Sequence, residues 1–117
     1  MLGFLGLGKN KPLGEWGEDY IADIYSRRGF KIFGKNYFNR KGKRLGEIDL
    51  VALKDKLLVF VEVKTRTSDR FGTPAEAVNS WKQQRLLLAC KSFLLENPQF
   101  ANYACRIDVA ELVTDVS

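Results

Sequence analysis

Residues 46 to 66 read Gly46-Glu47-Ile48-Asp49-Leu50-Val51-Ala52-Leu53, then Lys54-Asp55-Lys56, then Leu57-Leu58-Val59-Phe60-Val61-Glu62-Val63-Lys64-Thr65-Arg66. Both arms are rich in Val, Leu, Ile and Phe, and a short charged break separates them, which is the composition of a β-hairpin. Asp49, Glu62 and Lys64 are set into those arms. Taking a lone carboxylate out of water costs several kcal/mol unless a cation or hydrogen bonds compensate. Charges inside strands of this composition therefore need a partner.

Register suggests one. If Asp55 and Lys56 make a two-residue loop, facing residues have numbers summing to 111, which sets Asp49 opposite Glu62 and Glu47 opposite Lys64. Alternation of side chains then puts Asp49, Glu62 and Lys64 on one face. Carboxylates about 5 Å apart repel each other unless something positive lies between them, and a divalent cation fits that description. Magnesium uses oxygen ligands, commonly one or two carboxylates with waters and substrate phosphate, and Lys64 is placed to hold or polarise a water. A three-residue loop would change the sum to 110 and put Asp49 on the opposite face.

The remaining 96 residues bound the class of protein. At 117 residues, with 45% apolar and 28% charged side chains, the chain is expected to form one soluble domain with a real core. No run approaches the ~18 apolar residues of a membrane span, so no membrane partner is expected. Met1 to Gly8 is apolar but short, with neither a basic segment before it nor a small-residue cleavage site, so residues 1–12 read as a flexible tail rather than a leader. Cys90 and Cys105 lie in apolar surroundings without metal-ligand spacing, which suggests buried reduced thiols and a cytoplasmic protein. The chain has no histidine. Serine-histidine triads, histidine-ligated zinc and histidine general bases are thereby excluded, and hydrolytic chemistry must rest on carboxylates, lysine and a hard metal.

The net charge of +5 is uneven: residues 1–46 carry ten Lys or Arg against four Asp or Glu, whereas residues 47–117 carry nine against ten. The excess gathers in Arg27, Arg28, Lys31, Lys35, Arg40, Lys41, Lys43 and Arg44. A basic arc beside a carboxylate cluster points to a polyanion held near a metal site, because phosphate neutralisation supplies most nonspecific nucleic-acid affinity. A solvated basic face would carry the same charges.

Upstream, Trp16, Tyr20, Ile21, Ile24 and Tyr25 recur at helical spacing, with Glu15, Glu18 and Asp19 near the start and Gly29 as a stop. This predicts a helix from Leu13 to Arg28, with Glu18 at the edge of its apolar stripe, able to reach over the core. Phe30 to Asn39 predicts a strand with a bulge or bend at Gly34, followed by the basic turn Arg40-Lys41-Gly42-Lys43-Arg44. Downstream, Thr73-Pro74-Ala75-Glu76 and Ser80-Trp81-Lys82-Gln83 are two candidate helix starts. A long helix from Trp81 to Glu96 should bury Leu86, Leu87, Cys90, Phe93 and Leu94, and Lys82, Gln83 and Arg85 lie on its first turns. Tyr103 to Val113 alternates Tyr103, Cys105, Ile107 and Val109 against Arg106 and Asp108, a last strand expected to run parallel to the Leu57–Arg66 strand.

The resulting order is α-β-β-β-α-β, an α/β fold with a mixed sheet flanked by helices. That order, with Glu18 in the first helix, Asp49 on the second strand and Glu62-Val63-Lys64 on the third, resembles the PD-(D/E)XK, or restriction-endonuclease-like, fold. More closely, Gly46 to Val51, Phe60 to Arg66, Lys82 and Arg106-Ile107-Asp108-Val109 resemble the bacterial YraN family, described as endonuclease-like and distantly similar to archaeal Holliday junction resolvases. The resemblance spans about Gly14 to Val113 and makes residues 13–117 a single nuclease-like domain, with Ile48 standing where the superfamily's name has proline. It implies a catalytic set of Glu18, Asp49, Glu62 and Lys64, and magnesium or manganese bound by Asp49, Glu62 and the carbonyl of Val63. It also implies that Lys82 and Arg66 hold a phosphate, with Arg40, Lys41, Lys43 and Arg44 as further nucleic-acid contacts. The implied activity is hydrolysis of DNA phosphodiester bonds, extending to branched DNA and a homodimer as in the resolvases. A non-catalytic nucleic-acid-binding module and a protein-interaction adaptor are the alternative readings of the same fold.

Overall fold

The computed structural model of the chain describes residues 13–38, 47–66 and 80–113. Along the chain these form helix α1 (Leu13–Arg27), strands β1 (Lys31–Phe38), β2 (Glu47–Lys54) and β3 (Leu57–Arg66), helix α2 (Ser80–Glu96), a short 3-10 turn (Pro98–Phe100) and strand β4 (Ala104–Val113). The α-β-β-β-α-β order expected from the sequence is the one observed. Strands lie in the order β1-β2-β3-β4; β1, β2 and β3 run antiparallel in succession and β4 runs parallel to β3. The basic turn with Arg40, Lys41, Lys43 and Arg44, and the predicted helix start at Thr73, lie outside the described residues.

The central hairpin turns at Asp55 and Lys56, with Asp55 at φ 55°, a left-handed conformation that aspartate tolerates in turns. Pairing from Lys54↔Leu57 to Leu50↔Val61 keeps the sum of 111. The ladder stops there, so the expected rungs Asp49↔Glu62 and Glu47↔Lys64 are not formed. Their place is taken by a side chain: the Asp49 carboxylate accepts a hydrogen bond from the Val63 backbone N–H.

Helix α1 ends one residue earlier than expected, and its stop follows from Gly29. At φ 92° this glycine turns the chain so that its N–H reaches the Ser26 carbonyl, while the N–H of Phe30 reaches that of Tyr25. This is a Schellman motif, and the accompanying apolar contact is the edge-to-face packing of Tyr25 on Phe30, centroids 5.4 Å apart. The Lys54 ammonium, from the far end of β2, donates to the Arg28 carbonyl at 2.9 Å and holds the turn against the sheet.

The two helices cover opposite faces of the sheet. On one side Ile21 of α1, flanked by Tyr20, Ile24 and Tyr25, packs on Leu50, Ala52, Val59 and Val61. On the other, Leu86, Ala89, Cys90 and Phe93 of α2, with Phe100, pack on Ile48, Val51, Leu58 and Phe60. Strands β2 and β3 are thus buried on both faces, which is why they read as near-continuous apolar runs. Helix α1 approaches β3 closely at Gly17, where a Cβ would overlap the Thr65 hydroxyl.

Strand β1 carries a bulge where the sequence suggested one. The register shifts between Ile32↔Ala52 and Gly34↔Val51. Ile32 lies with the α1 cluster, Phe33 stacks edge-on against Phe93 and Phe100 on the α2 side, and Lys35 is back on the α1 side, ion-paired with Asp19. Plain alternation would have sent Lys35 the other way.

Three expectations about burial are corrected. Leu87 is half exposed and Ala89 takes its place in the α2 stripe, whose buried line runs through Leu86, Ala89, Cys90 and Phe93 at i, i+3, i+4 and i+7. Cys90 is buried, and burial pushes its thiol up to about 12, but Cys105 is exposed. Ile107 and Val109, read as the inward side of β4, are more than a third exposed. Tyr25 and Ala110 contacts mark the other side of β4 as the one facing α1, and β4 is the last strand in the sheet order.

Candidate functional site

The carboxylates gather where β2 and β3 part. Asp49 is only 8% exposed, and its Oδ2 accepts from Val63 N–H at 2.7 Å. Burial first, and then the nearby charges of Glu62, Glu18 and Glu47, push its carboxyl up to about 8, against the opposing pull of that hydrogen bond. Such a group holds its proton near neutrality unless a cation comes to it. Glu62 lies in reach of one: the Lys64 ammonium sits 3.3 Å from its Oε2, both side chains about one-fifth exposed.

Glu18 approaches from α1. Its carboxyl is raised from the ordinary value, mainly by burial and then by Glu47, while a hydrogen bond from Asn36 works the other way. With its amide nitrogen turned to the acids, Asn36 donates to Glu18 Oε1 at 3.1 Å and to Glu47 Oε2 at 3.0 Å, tying helix to sheet. Asn36 holds φ 53°, a left-handed position for which asparagine is suited. Sequence reasoning passed over Asn36. Its signal was the one amide side chain of β1, between Lys35 and Tyr37.

Two lysines face the acids. Burial works against the charged form of Lys64, but contact with the Lys82 amine and the acids Glu62 and Asp49 outweighs it, and its pKa is raised. Lys82 is lowered, chiefly because Lys64 is hydrogen-bonded beside it. Two cationic side chains this close are stabilised by an anion placed between them, and a phosphate oxygen has the right chemistry.

Glu47, Asp49, Glu62, Trp81, Lys82, Arg85 and Leu86 line an open cleft of about 190 Å³ between the β2–β3 opening and the start of α2. The structure thus brings Asp49, Glu62, Lys64 and Lys82 together, with Glu18 joined through the Asn36 bridge. Arg66 is placed differently: its Nε pairs with Glu111 Oε2 of β4 at 3.1 Å, and it is not among the residues lining this cleft. Arg40, Lys41, Lys43 and Arg44 lie outside the described residues.

Whether a metal fits can be judged from the donor set. Among the described residues no group of three or more acidic or cysteine side chains is placed to hold a metal ion. What is present is a buried carboxyl held far above its usual range by burial and acidic neighbours, next to a second carboxylate in an open cleft. Two hard oxygen donors with room for waters suit magnesium or manganese better than zinc or copper. Val63 contributes its N–H, as the donor that fixes Asp49.

Among the described residues no helix is long and apolar enough to cross a membrane. Residues 17–112 match the pattern of the uncharacterised protein family UPF0102. Curated relatives agree. A UPF0102 protein of Alkaliphilus metalliredigens is 41% identical over 104 residues, covering 89% of this chain and 87% of its own. One from Clostridium perfringens is 43% identical over 103 residues, covering 88% and 80%, and one from Syntrophomonas wolfei is 45% identical over 91 residues, covering 78% and 76%. The matched span takes in most of α1 with Glu18, the whole β2–β3 hairpin and α2, so the chain belongs to the uncharacterised protein family UPF0102, the YraN family.

Proposed function

We propose that this chain is a metal-dependent endonuclease that hydrolyses phosphodiester bonds in DNA, branched DNA included. One observation carries the reading: a buried carboxyl, Asp49, anchored by a backbone amide and raised to about 8, beside the Glu62–Lys64 pair in an open cleft. A structural ion pair does not need a buried, proton-holding acid next to it.

In this reading Asp49 and Glu62 would hold magnesium or manganese with help from the Val63 carbonyl, and Glu18 would complete the set directly or through water. The ion, when bound, lowers the pKa of a coordinated water and offsets charge on the phosphoryl oxygens. Lys64, whose raised pKa keeps it protonated, orients the attacking water and stabilises developing negative charge. Lys82 sits beside it and binds a non-bridging phosphate oxygen. The Val63 N–H fixes the Asp49 carboxyl so that its geometry is set before substrate arrives. Arg40, Lys41, Lys43 and Arg44 extend the phosphate contacts along the strand.

The test is calorimetric titration of magnesium and manganese into the wild type and Asp49→Asn, with linear and four-way DNA assayed for cleavage in parallel. Metal binding that the variant loses, together with cutting of either DNA by the wild type alone, is the expected result. No metal binding and no cleavage by the wild type would sink the catalytic reading. DNA binding without either would leave a nucleic-acid-binding module.

A further inference from the structure

We infer that Trp81 is a stacking platform for an unpaired nucleobase, so that the cleft receives a DNA strand with exposed bases next to the scissile phosphate; the inference rests on the nuclease reading above. Trp81 is the second residue of α2 and is 61% exposed, although the same helix buries Leu86, Cys90 and Phe93 one to three turns on. Leaving an indole in water forgoes hydrophobic stabilisation that a core position would give. Its surroundings are those of a ligand site. It lines the same cleft as Asp49 and Glu62, and its neighbour Lys82 stands beside Lys64. The Arg85 guanidinium lies 4.8 Å from the ring centroid, a cation–π contact that orients the indole and adds positive charge to the rim.

The dimensions and chemistry narrow the ligand. A cleft of about 190 Å³ is smaller than the ~300–1,000 Å³ of small-molecule pockets, so it admits part of a larger ligand. Cations that suit phosphate and an aromatic plane that suits a base lie on adjacent residues, which is the pairing that single-strand binders use. Bases in a continuous duplex are stacked on each other and cannot meet an indole on the protein. An unpaired base at a flap, gap, branch or free strand can, and because every base has a π-face the contact is tolerant of sequence.

The chain has two tryptophans, so a Trp16→Phe background leaves Trp81 as the sole indole. Titrations in metal-free buffer would use oligodeoxythymidylate, a blunt duplex, the same duplex with an unpaired flap, and oligouridylate, read by indole quenching and by anisotropy of labelled strands. The expected result is quenching by the single strand and the flap but not by the blunt duplex. Trp81→Ala should then weaken binding of those two probes by roughly 5- to 100-fold, while Trp81→Phe keeps most of the affinity. Blunt duplex bound as tightly as the flap, with affinity indifferent to Trp81→Ala, would overturn the stacking role while leaving the nuclease reading intact. Preference for oligouridylate over the DNA strand would overturn the assignment to DNA. Failure to bind any of the four probes would overturn the stacking role, and the nuclease reading would still stand or fall on the metal and cleavage test above.

Discussion

Asp49 on β2 and Val63 on β3 are joined by a side-chain-to-backbone hydrogen bond of 2.7 Å at the point where the ladder between their strands ends. The acid substitutes for a rung, and that is what lets a carboxyl sit buried in a sheet whose neighbouring side chains are Leu50, Val51 and Val61. Its environment also makes the stability of the fold sensitive to pH.

The folded carboxyl of Asp49 holds its proton up to about 8, against an ordinary value of 3.8. The folded state therefore binds more protons than the unfolded state between those values, and its stability is greatest below about pH 4 with respect to this group and falls as pH rises to about 8. Asp49→Asn keeps an acceptor for the Val63 N–H and should flatten that slope. Melting temperatures in metal-free buffer from pH 5 to 9 should fall for the wild type and stay level for the variant. Added magnesium should restore the wild type at pH 8 and do nothing for Asp49→Asn.

Lys64→Met should leave the fold nearly unchanged, because the Glu62–Lys64 pair is partly exposed and such pairs contribute about 0–1 kcal/mol. Cleavage is a different matter. Removing a preorganised charge at a reacting phosphate costs roughly 10²–10³ in rate, so single-turnover cutting should fall by that factor while calorimetric metal binding persists. Loss of metal binding in Lys64→Met would show that the lysine shapes the site rather than the reaction.

Lys82→Ala addresses phosphate binding. Removing one phosphate contact should lower the slope of log affinity against log salt by about 1, uniformly across DNA sequences. The measurement is DNA affinity at several salt concentrations for both proteins. An unchanged slope would place Lys82 outside the DNA contact.

Gly17→Ala should destabilise the protein by about 1–3 kcal/mol, since the new methyl overlaps the Thr65 hydroxyl and α1 must move off the sheet. Adding Thr65→Ala removes the obstructing atoms and should recover much of the loss. Urea denaturation of both variants and of the double variant reads the coupling directly.

Tyr25→Phe removes the hydroxyl that donates to Asp108 Oδ2, which also accepts from Arg106 Nη2 while Oδ1 accepts from Arg106 Nε. Hydrogen bonds to charged groups contribute about 1.5–3 kcal/mol, and partial exposure places this one at the lower end. A melting-temperature drop confined to this variant, with metal binding unaltered, is the expected outcome.

The hairpin was readable from its composition, but composition leaves its register open between a two- and a three-residue loop; the observed rungs obey the two-residue pairing from Lys54 to Leu50. The order of elements and the stop of α1 at Gly29 were readable for the same kind of reason: local chemistry determines them. The end of the ladder was not. It depends on the Asp49 side chain capturing an amide 14 residues away, which no local pattern encodes. Nor could alternation in β4 say which side is covered, because Ile107 and Val109 are apolar whether or not a helix lies over them. The same holds for Cys105. Asn36 acquires its bridging role only from φ 53° in three dimensions, and Arg66 was spent on Glu111 across the β3–β4 pairing.

The bulge at Phe33 has a reach beyond β1. It resets the parity of the strand, so that Lys35 meets Asp19 on α1 and the next residue, Asn36, stands between Glu18 and Glu47. Deleting one residue there would leave the composition of the edge strand almost untouched and turn each later side chain to the wrong side. The damage would surface among the acids several residues away: Glu18 and Glu47 would lose the amide that spans them, and helix and sheet would keep their shapes while the acidic end of the molecule lost its common frame. An edge strand that contributes no catalytic residue thereby works as the ruler for the site.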